Sequence, residues 1–462
     1  MKNILRILPA MLLGLLLVAN TTRAEQYHYK SGVAAVKQSL AAGCAPGANF
    51  KWLEINNVRC RINTGGDMWW DFETAQYEIP KGSKKMSMFS AALWIGGLDA
   101  NGQLKLAALR YRGVGNDYWP GPLTIDGTAS ISPDMCAKYD KLHYVTRAEV
   151  DDFLAWYNDK PGHPDYVIPT SISTYPAHGD ESKGQSYYLA PFYDNDPPGS
   201  DGPNGSYDPA NDGDYPYYDL SNELCHTKTP TAEDIYYSKQ QTGNLVDQVL
   251  KGDATLWWVF NDKGNIHSET GGQPIGLEIR AQAFGFSTND EINNMTFYSY
   301  EIINRSTYRL TQTYFSQWVD TDLGYAWDDY VGCDVMRGLG YCYNGTAVDG
   351  SGQSFAYGNQ PPAVGVDFFQ GPYIDHDKLG KINGDNPSLK GDPTYHLKGF
   401  PDQLFTGGAQ LVLWDGDTLE KIDGTDTTFK VINSAAINGI NFGNGIEDDE
   451  RFGMRRFVYH NN

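Results

Sequence analysis

"MTFYSYEIINRSTYRLTQTYFSQWVD", residues 295–320, holds two runs in which apolar and polar side chains alternate. That period of two is the mark of half-buried antiparallel strands, with one face on a core and the other in water. Upstream, "TLWWVFND" (Thr255 to Asp262) and "GLEIRAQAFGFS" (Gly276 to Ser287) read as further strands with turns between. "MSMFSAALWIGGLDANGQLKLAALRYRG" (Met86 to Gly113) is two apolar runs around Asp99-Ala100-Asn101-Gly102. Asn-Gly at such a break predicts a hairpin, because both residues tolerate positive φ. Strands at this regular spacing predict an all-β fold, a β-sandwich or jelly-roll-like architecture with long turn-rich loops and a few short helices.

The helices are few. Thr146-Arg147-Ala148-Glu149 before "VDDFLAWY" is a capping box, predicting a helix over about 147–158, and Ser31 to Ala42 reads as a short amphipathic one. Residues 159–230 are turn-rich and acidic, a long loop that divides an N-terminal β-rich module (25–230) from a β-sandwich module (231–462). A second turn-rich stretch, 344–405, precedes "AQLVLWDGD" and "TFKVINSAA".

The chain opens with a basic start (Lys2, Arg6), an apolar Leu8 to Val18 and small residues at Thr22 and Ala24, a signal peptide over 1–24. No later stretch has the roughly 20 apolar residues of a membrane span. Cleavage removes three positive charges, taking the formal net charge from −21 to −24. So acidic a chain lacks the clustered cations that nucleic acid demands. Six cysteines in an exported chain suggest three disulfides, with 15 possible connectivities. Cys333–Cys342, nine residues apart across a glycine-rich segment, is the expected local bridge, with Cys44–Cys60 and Cys136–Cys225 completing the set.

Five aspartates (Asp320, Asp322, Asp328, Asp329, Asp334) crowd "WVDTDLGYAWDDYVGCDV", residues 318–335, around the bend at Gly324. Like charges repel at this density unless a cation sits among them. The donors are oxygens without histidine, which suits calcium with its six to eight oxygen ligands, rather than a transition metal. EF-hand spacing is excluded, since Tyr325 stands where glycine is needed and Val331 where glutamate is. Weaker candidates are Asp201, Asn204, Asp208, Asp212 and Asp214 in "SDGPNGSYDPANDGDYP", and Asn444, Glu447, Asp448 and Asp449 in "NFGNGIEDDER". "DNDPPG" (Asp194 to Gly199) is weaker still.

Catalytic signatures are missing: there is no H-E-x-x-H, no G-x-S-x-G and no glycine-rich phosphate loop. Two carboxylates suffice for a glycosidase, so a secreted polysaccharide-acting hydrolase stays as the alternative, with Trp69, Trp70 or Trp119 lining a cleft. "GGDMWWDFE" could also form a sugar-stacking platform, although one core and one interfacial tryptophan is the plainer expectation.

Five long phrases carry a family resemblance: "NNVRCRINTGGDMWWD", "MFSAALWIGGLDANGQLKLAALRYRGVGNDYWPGPL", "TNDEINNMTFYSYEIINRS", "WVDTDLGYAWDDYVGCDVMRGLGYCYNG" and "PPAVGVDFFQGP". Over most of 45–462 the chain resembles the large exported surface proteins of Bacteroidetes associated with type IX secretion. "GDTLE" and "TDTTF" add short matches to the O-glycosylation pattern of such proteins. The resemblance implies export across two membranes of a Gram-negative cell, display on or release from its surface, and β-rich modules. It assigns no catalytic residue. Members continue into further β-modules and a C-terminal sorting domain, so the ending "ERFGMRRFVYHNN" is read as a truncation. Periplasmic retention is the expected outcome if that part is truly absent. The expectation is a secreted or cell-surface, non-catalytic binding or structural protein with calcium-stabilised loops and a surface or glycan partner.

Overall fold

The strand Ala254–Asn261 carries the run "ATLWWVFN" and is buried along its whole length. The computed structural model describes residues 43–112, 115–194, 206–218, 249–334 and 338–367, with strand backbone at 411–414 and 419–422. In it this strand is central to a five-stranded antiparallel sheet. Leu277–Gly285 pairs along one side and is paired in turn by Phe297–Asn304. Trp119–Pro120 and His143–Thr146 share the other side. Alternation explains the complete burial. Leu256, Trp258 and Phe260 enter one core, while Trp257 and Val259 enter a second on the opposite face.

The first core lies between this sheet and an eight-stranded one, so the architecture is a β-sandwich. In the larger sheet Ser90–Leu98 is central, paired with Thr311–Asp320, Asp67–Met68 and Leu104–Ala107. Ile62, Met68, Leu93 and Ile95 meet Leu256, Trp258, Ile279 and Ala281 from the other sheet. The alternating runs behave as their period predicts: Tyr298, Tyr300, Ile302, Phe315 and Val319 all pack on this core. Trp318, of opposite parity to Phe315 and Val319, instead stacks on Trp94 at 6.1 Å.

Local signals hold. The hairpin between Ser90–Leu98 and Leu104–Ala107 turns where Asn101-Gly102 predicts, with Gly102 at φ +75° and Asp99 accepting from the Asn101 and Gln103 amides. The capping box is complete, and the helix runs Arg147–Asn158. Its Val150 and Phe153 cover Trp257 and Val259 in the second core. Ile172, Tyr175, Leu189, Phe192 and Tyr215 join them. The described part of the turn-rich stretch is therefore a packed layer over the outer face of the smaller sheet.

The sequence places a module boundary at residue 230, but strands from both sides of that position are hydrogen-bonded within each large sheet. All described residues belong to one unit that begins at Leu40. Among them, no helix is long and apolar enough to cross a membrane. The signal peptide, the expected 31–42 helix and the "TFKVINSAA" run lie outside the described residues; Leu411–Trp414 pairs with Leu419–Ile422.

The cysteine pairing differs from the sequence expectation. Cys44 is bonded to Cys136, with Cα atoms 5.9 Å apart, beside the buried Trp119. Cys60, Cys333 and Cys342 are free thiols. Cys60 is occupied elsewhere, inside the first core. Cys333 and Cys342 do share a hairpin, but its register sets Cys333 opposite Gly340 and Cys342 opposite Val331. They are diagonal neighbours, with Cβ atoms roughly 7 Å apart rather than the ~4 Å a disulfide needs. Cys225 lies outside the described residues.

Candidate functional site: the acidic loop

Thr311–Asp320 ends at the edge of the sandwich, where Asp320 Oδ2 accepts from the Tyr111 hydroxyl. The chain bends at Gly324 (φ +75°), whose amide bonds the Met86 carbonyl at 2.8 Å. A 3₁₀ turn over Ala326–Asp328 then feeds the strand Asp329–Asp334. Carboxylates pin this loop through main-chain amides. Asp329 Oδ2 accepts from Leu323 at 2.9 Å, and Asp328 Oδ2 from Gly350 at 3.1 Å. Asp349, almost wholly buried, accepts from Tyr325 at 2.8 Å and from Tyr357. Sequence reading missed Asp349, which sits on its own short strand Val348–Asp349; only the Asp349-Gly350 turn dipeptide marks it.

The electrostatics are unfavourable for anions. Burial, then the charges of Asp320 and Asp329, push Asp322 up to about 7. Burial also raises Asp329 to about 7, with Asp328 and Asp349 adding to it against the Leu323 amide. Burial raises the Cys342 thiol to about 12, and Asp329, Asp322 and Asp320 act on it in the same direction. Asp320, Asp322 and Asp329 thus share one neighbourhood. The Oδ1 atoms of Asp328 and Asp329 are buried without a hydrogen-bond partner among the described residues. Such oxygens suit a hard cation. Even so, no three or more His, Cys, Asp or Glu side chains among the described residues stand close enough to hold a metal ion as placed.

Asp334 is not brought in. It ends the six-residue strand that Asp329 begins, roughly 16 Å away at about 3.3 Å per residue, and points to the opposite face. The second acidic candidate is in part a self-satisfied turn. Asp208 accepts from the Ala210 and Asn211 amides and the Asn211 side chain, while buried Asp214 accepts from the Asp208 amide. Asp212 donates its amide to the Asp208 carbonyl. Asp201, Asn204, Asn444, Glu447, Asp448 and Asp449 lie outside the described residues; of "DNDPPG" only Asp194 is described, and it is buried.

The tryptophans offered for a sugar platform (Trp69, Trp70) or for a hydrolase cleft (these two and Trp119) are all buried. Trp69 donates to the Tyr298 hydroxyl and Trp70 to Asp67, both at 2.7 Å, while Trp119 lies on the disulfide. The charge network around the buried Glu278 is structural as well: Glu278 meets Arg280 at 2.9 Å and Arg305 at 3.0 Å and accepts from the Leu123 amide. Compared with protein-family models, with curated proteins and with solved structures, the chain matches none.

Proposed function

We propose that the chain is an exported, non-catalytic binding or structural protein of a Gram-negative surface, with the loop from Asp320 to Asp329 stapled by calcium. The observation that supports the staple is the crowding of Asp322 and Asp329, both raised to about 7, beside the unpartnered Oδ1 atoms of Asp328 and Asp329. A divalent ion would convert this repulsion into attraction, and the donors are all hard oxygens. Asp349 and the Leu323, Tyr325 and Gly350 amides already hold the loop, so Asp322, Asp328 and Asp329 would close on the ion by side-chain movement. Export rests on the signal-peptide pattern at 1–24 and on the resemblance to type IX-associated surface proteins.

The test is thermal unfolding of the full chain in calcium, in magnesium and in EDTA. Calcium at a hundredfold excess over Kd would add about 2.7 kcal/mol, with magnesium adding less. The double variant Asp322→Asn, Asp329→Asn should lose the calcium increment. A midpoint that EDTA leaves unmoved ends the calcium reading. Release of reducing ends from a polysaccharide panel would overturn the non-catalytic half.

A further inference from the structure

The three-stranded sheet of Asp329–Asp334, Leu339–Asn344 and Ala363–Asp367 has two unlike faces. Cys342 is buried on the inner face, where Val364 and Val366 pack against the first core. Register defines the outer face: Tyr330 pairs with Tyr343, Gly332 with Tyr341, Tyr343 with Ala363 and Tyr341 with Gly365. Paired residues point to the same side, so three tyrosines stand on a floor of glycine and alanine. Tyr330 is 60% exposed, Tyr343 44% and Tyr341 38%. The Tyr330 and Tyr343 rings lie 6.1 Å apart at 26°, and Tyr341 and Tyr343 6.2 Å apart at 36°.

Gly332 leaves the room that Tyr341 uses, since a Cβ there would come within 2.6 Å of the ring's Cζ. Covering a cross-strand glycine stabilises a sheet, and that accounts for Tyr341. Tyr330 likewise lies against Gly345 with one ring edge, but covering glycines does not account for how much of the Tyr330 and Tyr343 rings stays exposed, and contiguous exposed aromatics mark a contact site.

We propose that this face binds a neutral, β-linked glycan chain, with two successive pyranose rings laid on Tyr330 and Tyr343 and with Tyr341 beside them. The ring separations are comparable with those of neighbouring sugars in an extended β-linked chain. Tyrosine suits the task, offering an apolar ring to sugar C–H groups while its hydroxyl stays hydrated. Charge selects among glycans. Among the described residues of its three strands the outer face carries no lysine or arginine, and Asp334 and Asp367 stand together at one end of it, on either side of Leu339. With a net charge of −21, the chain repels polyanions, while carboxylates accept from sugar hydroxyls. The proposal rests on reading the chain as a binding protein and names its ligand class.

Affinity electrophoresis of the full chain through gels holding hydroxyethylcellulose, glucomannan or xylan tests it, with alginate and polygalacturonate as the anionic arm. Retardation by a neutral gel and none by the anionic gels is expected. Tyr343→Ala should weaken binding about threefold or more, Tyr330→Ala with Tyr343→Ala further, and Tyr343→Phe should retain it. Unchanged thermal midpoints in these variants separate lost stacking from lost folding. Absence of retardation in every neutral gel overturns the proposal, as does retardation that the double alanine variant leaves intact. Self-association that Tyr343→Ala abolishes, without glycan binding, would make the face an interface between copies and equally overturn it. Retardation with an EDTA-insensitive midpoint sinks only the calcium staple, whereas a calcium-sensitive midpoint without retardation sinks only the glycan platform.

Discussion

Asp349 Oδ2 occupies the space that a side chain on Gly324 would have to enter. The bend of the acidic loop and the short strand at Val348–Asp349 are thereby fitted to each other, and no pattern local to either segment records it. The fit makes Gly324 more than a flexible residue: its φ of +75° and its missing Cβ are both used.

Gly324→Ala should therefore cost more than left-handed backbone strain alone. Strain contributes about 1–2 kcal/mol, and displacing Asp349 from the Tyr325 and Tyr357 amides adds about 1 kcal/mol or more. Gly102→Ala is the control, with the same φ of +75° and nothing within 4 Å. Denaturant unfolding of the two variants measures the difference, and equal losses would remove Asp349 from the argument.

The pH dependence of stability follows from Asp322 and Asp329, both raised from 3.8 to about 7. Between those values the folded state holds protons that the unfolded state has released. Stability should accordingly fall as pH rises from about 4 to about 7 in EDTA, then level off. Calcium favours the ionised forms, so it should flatten that slope. Asp322→Asn removes one titrating group and should reduce the slope without calcium. Midpoints measured across this range, with and without the ion, check the sign directly.

Glu278 behaves oppositely. Burial would raise it, but Arg280, Arg305 and the Leu123 amide overcome burial and hold it below the usual carboxylate range. Its contribution is present above the unfolded value and lost as pH falls through the folded one. Glu278→Gln leaves Arg280 in the interior without its nearest carboxylate, an expected loss of about 3–5 kcal/mol in equilibrium unfolding.

Thiol chemistry checks the covalent framework. Digestion without reductant should release a peptide pair joined through Cys44 and Cys136. Cys333, partly exposed, should alkylate in the folded protein, with Cys60 and Cys342 reacting only after unfolding. A crosslink closing a separation of 92 residues stabilises by about 4–5 kcal/mol in the chain-entropy picture, so Cys44→Ser with Cys136→Ser should lower the midpoint by several degrees.

Features that repeat along the backbone were legible without coordinates. The period of two in residues 295–320 placed Tyr298, Tyr300, Ile302, Phe315 and Val319 on one core. Asn101-Gly102 marked a turn, and Thr146 with Glu149 marked a helix start, because each motif satisfies its own hydrogen bonds within a few residues. The crowding of Asp320, Asp322, Asp328 and Asp329 was visible because the four lie within ten residues of one another along the chain.

Tertiary structure alone decided what depends on register and on distant segments. A strand of six residues carried Asp334 away from Asp329, although both looked like members of one cluster. Asp349 entered from another strand, Cys44 found Cys136 instead of Cys60, and Ser90–Leu98 paired with Thr311–Asp320 across the expected module boundary. Composition and alternation fix which face of a strand is apolar. Which strand lies beside which is set by the fit of whole sheets around a shared core, a non-local sum that no single stretch contains.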